Sequence, residues 1–285
     1  MKNYNITFPG GKDRIFTLSY DDGLDTDEQL IELLKKYDVK CTFNLNGGMF
    51  GGEGDVRRED QIHFRLPESR IKDLYSDPHC EVATHGYVHP RYETLTADDA
   101  LADILNDRRK LESLFGRPVR GHAYPYGTYS AETLEVFRLA GIAYARTSVE
   151  THKFDLPRDW LRWNTTCHHS AWDMPELIDR FLNEPVPADE NGKLFYIWGH
   201  TCEFRENDDW HVIEDILSSV SGREDVWYAA NIEIYEYVTA WRTLVFSADR
   251  RYAYNPSSTD LWIKVSEGEE RRKFRIPSGG TVKIG

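Results

Sequence analysis

The chain predicts an α/β fold, a distorted (β/α) barrel of about seven parallel strands with a small C-terminal antiparallel β appendage. Three observations carry that expectation. Short apolar runs alternate with amphipathic segments about seven times, and such alternation argues for parallel strands covered by helices. That number of units suits a closed or nearly closed barrel better than a small open sheet. From about residue 243 the helical spacing gives way to period-two alternation, the mark of hairpins.

The elements follow in order. "RIFTLSY" (14–20) is β-rich and ends at Asp21-Asp22. Residues 25–39 place Leu30, Leu33, Leu34 and Tyr37 at helical spacing, with acidic residues in the first turn. "KCTFNL" (40–45) is the next strand, and "CEVATH" (80–85) a third. The glycine-rich stretch 46–60 between them lacks the G-K-[ST] of a phosphate-binding loop and reads as a mobile loop. Residues 96–115 form a long helix, with Thr96 and Asp99 as a capping box and Gly116 as its stop. "VRGHAYPYG" (119–127) is strand then turn, 130–141 a helix capped by Ser130, and "IAYARTS" (142–148) a strand. A helix at 173–185, an apolar strand "KLFYIWGH" (193–200), a helix at 210–222 and a last strand and helix within 226–241 complete the barrel, assigned to residues 1–242. In 243–285, Leu261, Ile263 and Val265, then Phe274 and Ile276, alternate about a turn near "EGEE". About 40 residues cannot build a core alone, so this appendage should pack on the barrel.

Composition narrows the function. The 285 residues carry a net charge of −13 and no basic run, which argues against nucleic acid and anionic membrane surfaces as partners. No stretch approaches the 18 apolar residues of a membrane span, and the first residues lack an apolar signal region, so the chain reads as cytoplasmic. The cysteines Cys41, Cys80, Cys167 and Cys202 form no C-x-x-C pair and read as free and buried. "TCHH" (166–169) supplies too few ligands for a tetrahedral metal site, and adjacent histidines on a strand point to opposite faces.

The chemistry lies where strands end. Asp21 and Asp22 close the first strand, and His85 and His89 of "THGYVHP" follow the third. In an α/β barrel those ends share one face, where active sites are built. One carboxylate and two imidazoles make a three-ligand divalent site with an open fourth position, the pattern of a catalytic metal, and a second carboxylate remains as a base. "AYPYG" (123–127) and His200 end two further strands on the same face. Each alone is commonplace, since "DDG" is usually a turn; their convergence on one face is what points to a site.

These residues also resemble a known family, the polysaccharide deacetylases of carbohydrate esterase family 4, over about residues 12 to 242. The family's ordered motifs are T-F-D-D-G, H-[ST]-x-x-H-P, R-x-P-Y-G, a D-W segment and L-x-H. This chain has "SYDDG", "HGYVHP", "AYPYG", "RDW" and "WGH" in that order. The resemblance implies a distorted barrel and a divalent metal, usually Zn²⁺, on Asp22, His85 and His89. It implies Asp21 as general base, His200 as general acid, the Tyr126 backbone N–H in the oxyanion hole, and Asp159 and Trp160 as the fourth motif, with Trp160 lining the acyl pocket.

There are departures from the family pattern. The third-motif Arg, which orders the base aspartate, is Ala123; Asp159 thus lacks its usual partner, with His122 and Arg162 as candidate substitutes. The second-motif Ser or Thr is Gly86, and the last-motif Leu is Trp198, a bulkier wall. Thr201 and Glu203 follow His200 within reach of a substrate. The expected activity is metal-dependent removal of N-acetyl, or else O-acetyl, groups from a small acetylated mono- or oligosaccharide, with rings at Tyr126, Trp160 and Trp198 packing on it. An amidohydrolase of the same fold acting on a ureide, and a non-catalytic sugar-binding protein, are the alternatives; oligomeric state is open.

Overall fold

The computed structural model describes residues 2–268 and 270–285. Its centre is a run of parallel strands: β2 (Arg14–Asp21), β3 (Cys41–Leu45), β4 (Cys80–Thr84), β5 (Gly121–Ala123), β6 (Tyr144–Glu150), β7 (Trp163–Thr165), β8 (Cys167–His168) and β9 (Lys193–Gly199). They are ordered β7-β6-β5-β4-β3-β2-β9-β8. The two ends of that order are one stretch of chain. β7 pairs with β6, β8 pairs with β9, and Thr166 between them donates its N–H to the Tyr196 carbonyl at 2.8 Å. The segment 163–168 therefore closes a distorted barrel of seven parallel staves. All eight residues of β2 are buried, as a strand covered on both faces requires. β10 (Val226–Tyr228) pairs with the first half of β2, below the level at which β3 begins.

Helices cover the outside: α1 (Asp27–Tyr37), α2 (Glu68–Tyr75), α3 (Ala97–Phe115), α4 (Ala131–Leu139), α5 (Met174–Asn183), α6 (Thr201–Asn207), α7 (His211–Val220) and α8 (Asn231–Trp241). The expected helix ends form, although the Thr96–Asp99 pair makes only the N-cap half of the expected capping box. Thr96 accepts from the Asp99 N–H, Ser130 and Thr133 make a capping box, and Gly116 ends α3 in the left-handed conformation. α2, α6 and the closing stave 163–168 were not among the elements expected from sequence. Each is short, and a one- or two-turn helix shows too little periodicity to read. All four cysteines are free and buried.

The appendage is a six-stranded sandwich with a different boundary from the expected one. β1 (Asn3–Thr7) pairs antiparallel with β13 (Leu261–Glu267), which pairs with β14 (Glu270–Ile276). β11 (Val245–Phe246), β12 (Tyr252–Tyr254) and β15 (Thr281–Lys283) form the second sheet. Of the expected turn at "EGEE", Glu269 lies outside the described residues. The first strand of the chain thus belongs with its last ones, not with residues 1–242 as a barrel. Ile263, Val265, Ile276, Ala253 and Ile284 make the sandwich core. The Tyr237 hydroxyl on α8 donates to the Thr7 carbonyl at 2.7 Å and accepts from the Trp262 N–H at 3.0 Å, stitching the sandwich to the barrel.

Ile263 is wholly buried in this shared core. Ile263→Ala should cost about 2–5 kcal/mol, a cavity-forming loss. Because β1 and α8 tie the two parts together, urea should still unfold the variant in one transition, at a lower midpoint. A separate early transition that leaves barrel helicity intact would show that the sandwich is an independent unit.

Candidate metal and catalytic site

The carboxyl ends of β2 and β4 bring Asp21, Asp22, His85 and His89 together. One ligand atom from each of Asp22, His85 and His89 lies within 4.8 Å of the others. His85 is buried and spends Nδ1 on the Ala123 carbonyl at 2.8 Å. A carbonyl only accepts, so Nδ1 carries the proton and Nε2 turns a lone pair toward the site, the tautomer a metal ligand needs. Burial, joined by the neighbouring His85, pulls His89 down to about 4, so it too is neutral at pH 7. The residues therefore fit a divalent cation with N/O ligands.

The backbone around the ligands is held by side chains from elsewhere. Asp107 on α3 accepts from the N–H groups of Gly47 and His85, at 2.7 and 3.1 Å. Asp103, one turn earlier, accepts from Tyr87 N–H at 3.0 Å and from the Tyr92 hydroxyl at 2.6 Å. Asn46 donates to the carbonyls of His85 and Gly86. Gly86 sits at φ +76, where an added Cβ would lie 2.6 Å from Pro90 Cδ. That explains the loss of the family's hydroxyl residue here: this loop leaves no room for a side chain. Asp22 itself adopts φ 82, and Arg65 grips it, with Nη2 3.0 Å from Oδ1. Arg65 arrives on the stretch after β3, whose end is anchored by a bridge between Leu24 and Arg65.

Asp21 is an almost wholly buried charge of the site. Asn44 donates to its Oδ1 at 2.8 Å, and Arg146 Nη2 donates to its Oδ2. His85 and His200 turn Nε2 toward Oδ2 at 3.8 and 3.9 Å. Burial pushes the carboxyl up, but Arg146 first, then His85 and His200, outweigh it and hold the group down at about 2. Arg146 answers the question posed by Ala123. The two are register partners on adjacent strands, so the guanidinium comes from β6 instead of β5. Of the two candidates to partner Asp159, one does so and the other does not. His122 is buried among Tyr92, Tyr124 and Phe137, and Arg162 pairs with Asp159 at 2.7 Å.

His200 follows β9, with Glu203 Oε1 3.0 Å from its Nδ1. Burial pulls its pKa down, but the Glu203 hydrogen bond and Asp21 raise it to about 9. Trp198 stands beside these groups, its ring 4.7 Å from the Arg146 guanidinium and 5.9 Å from the His200 ring. Tyr126 has left-handed backbone (φ 57) and an exposed ring that packs edge-on against His89 at 4.7 Å under Arg91.

Four expectations are corrected. Asp159 and Trp160 are not at this site. They precede β7, whose parallel direction puts its start at the opposite end of the barrel, where Trp160 packs on Trp163, Tyr235 and Arg242. A cavity of about 930 Å³ opens there, and its lining holds no imidazoles. Thr201 is buried against Asp27 and Thr26, out of a substrate's reach. Glu203 is engaged by histidines instead of being offered to substrate. His168 and His169 do not diverge, because the strand ends at His168 and the chain turns, bringing both imidazoles to Glu203.

Arg146→Met, measured without metal, should cost about 3–5 kcal/mol at pH 7, since it leaves a buried carboxylate unpaired. In the wild type the depressed pKa contributes stability above about pH 4 that is lost as pH falls toward 2. The gap between the two proteins should therefore narrow below pH 4, where Asp21 of the variant is protonated. An equal gap at both pH values would mean Arg146 acts by packing alone.

Residues 9–145 match the sequence profile described as polysaccharide deacetylase. A chitin deacetylase from Colletotrichum lindemuthianum is 24% identical over 187 residues, 65% of this chain and 66% of that protein, just under two thirds of its length. Among solved structures, the Xyl-CE4 domain of a multidomain xylanase from the hindgut metagenome of Trinervitermes trinervoides shares 15% identity. The match covers 80% of this chain and 92% of that one at a TM-score of 0.51, a likeness of fold. A family 4 pseudoenzyme from Bacillus anthracis shares 19% identity over 81% of this chain and 68% of that one, with a TM-score of 0.48. With the ordered motifs set on one face of a closed barrel, the chain is similar to the polysaccharide deacetylase family over residues 9–145, the span that the profile matches.

Proposed function

We propose that the protein is a metal-dependent deacetylase that hydrolyses N-acetyl groups on a carbohydrate. The observation that carries the reading is the pairing of a neutral-imidazole metal triad with an ionised carboxylate and a protonated histidine on one face. Asp22, His85 and His89 would hold the cation. A bound divalent metal lowers the pKa of water to about 7 and polarises a carbonyl.

The chain's own groups divide the proton transfers. Asp21 stays ionised at any working pH, because Arg146 and Asn44 favour its charge. The same contacts make it a weak base, tolerable only toward a proton already made acidic. His200 holds a proton at neutral pH and can give it to a departing amine, which leaves poorly unprotonated. Trp198 walls the space beside His200 and would limit the acyl group to a small one. The Tyr126 backbone N–H is the proposed oxyanion donor.

Purified protein should hold one divalent ion per chain, and His89→Ala should lose metal and acetate release together. Asp22→Asn should weaken metal binding. Asp21→Asn should keep the metal and lower kcat by about 10²-fold or more, a general-base loss. Equal metal loss in both aspartate variants would refute the division of roles. Acetate release should be assayed on soluble N-acetylglucosamine oligomers and on chitin at matched acetyl concentration. Metal-loaded protein inactive on all of these but active on a ureide would overturn the substrate class.

A further inference from the structure

One carboxylate beside the site collects three imidazoles, and the division of roles above uses only one of them. Glu203, on α6, takes the His200 Nδ1–H on Oε1 at 3.0 Å. Its Oε2 lies 3.0 Å from His168 Nε2 and 3.1 Å from His169 Nε2, although neither approach is straight enough to make a full hydrogen bond.

The far side of His168 indicates which of its nitrogens is protonated. The Ser170 N–H, which can only donate, reaches His168 Nδ1 at 3.3 Å. The Tyr20 hydroxyl stands 3.3 Å from His169 Nδ1, and burial keeps that phenol protonated. With its Nδ1 accepting, His168 carries its proton on Nε2, on the Glu203 side; the Tyr20 hydroxyl can donate or accept, so His169 is assigned by the carboxylate that its Nε2 faces, which when ionised only accepts. Metal ligation through the same Nε2 atoms would need the opposite tautomer, so the arrangement favours a carboxylate cradle over a second metal site. The sequence has made room for it. An added Cβ on Gly199 would fall 2.0 Å from His169 Nδ1, so the glycine of "WGH" lets the ring lie flat against β9. Phe204 covers the other side of that ring, at 4.2 Å between centroids.

We infer that His168 and His169 are positioning residues which, through Glu203 Oε2, fix the carboxylate that aims Nε2 of His200 into the site. This rests on the assignment of His200 as the acid. The charged and titratable groups facing the cradle include Asp21 toward His200, with Asp22 beyond it, the three histidines themselves, Tyr20 behind His169, and Glu150, which accepts the His168 backbone N–H at 2.9 Å. With His168 and His169 holding one oxygen, the other is free to serve His200 alone.

The test uses the full-length, zinc-loaded protein and three variants, His168→Leu, His168→Gln and Glu203→Gln. Glu203→Gln should lower kcat by about 10²-fold and His168→Leu by about 10-fold, the range for outer contacts to a functional imidazole, with KM nearly unchanged. His168→Gln, which keeps an N–H donor, should recover most of the loss. Nitrogen-15 NMR of the His200 ring should show its pKa lowered in His168→Leu and Glu203→Gln, and the alkaline limb of the kcat profile should move down with it. The NMR titration needs no turnover. It therefore decides the cradle even if no acetylated sugar proves to be a substrate, and failure of the assay alone would count against the proposed activity only. An unchanged His200 pKa and tautomer in His168→Leu would overturn the inference. So would two zinc ions per wild-type chain falling to one in that variant, since the cluster would then be a metal site.

Discussion

The site depends on how one carboxylate, Asp21, is kept charged inside the protein. It is almost wholly buried, and an isolated charge there would be prohibitively expensive. Four groups from four strands or strand ends meet it: Asn44 from β3, His85 after β4, Arg146 from β6 and His200 after β9. Those strands stand around the barrel, so the charge is balanced only when the barrel is closed. Closure in turn rests on the stave 163–168, bonded to β6 at one end and to β9 at the other. Fold and chemistry are thus coupled through a single carboxylate.

Much of this was legible in the sequence because barrel physics places strand ends on one face. The Asp21-Asp22 pair, the two histidines of "HGYVHP" and His200 could be assigned to that face without knowing any distance. The alternation of strands and helices gave the stave count, although one of the staves taken to make it up was β10, and the closing one was missed. Its residues, "WNTTCH", place three polar side chains in a row, Asn164 to Thr166, and the pairing is interrupted at Thr166, so no strand period survives.

What escaped notice follows a pattern. Arg146 sits in the middle of a buried strand, "YARTS", and an arginine there demands a partner. That demand was visible, but the identity of the partner was not, since register between strands is a tertiary fact. Asp107 offered a similar signal, an acid on α3 one turn after Asp103, in a helix whose other buried positions are apolar. Arg65 gave none, because it lies in a long irregular stretch. The misplacement of Asp159 and Trp160 has a different origin. A two-residue motif match carries no direction, and only the strand that follows shows which end of the barrel it occupies.

The sandwich bears on the order in which the molecule is made. β1 leaves the ribosome ahead of the barrel strands, yet its partner β13 follows all of them, with Asn3 opposite Ser266 and Thr7 opposite Trp262. Chains fold from the N-terminus as they emerge, and pairings between distant segments form late. Strands β2 to β9 can therefore assemble while β1 still has its edge exposed. Its sequence, "NYNIT", carries three polar residues in five, a composition poorly suited to sticking to the wrong neighbour during that wait. Final locking of β1 therefore waits until β13 has been made.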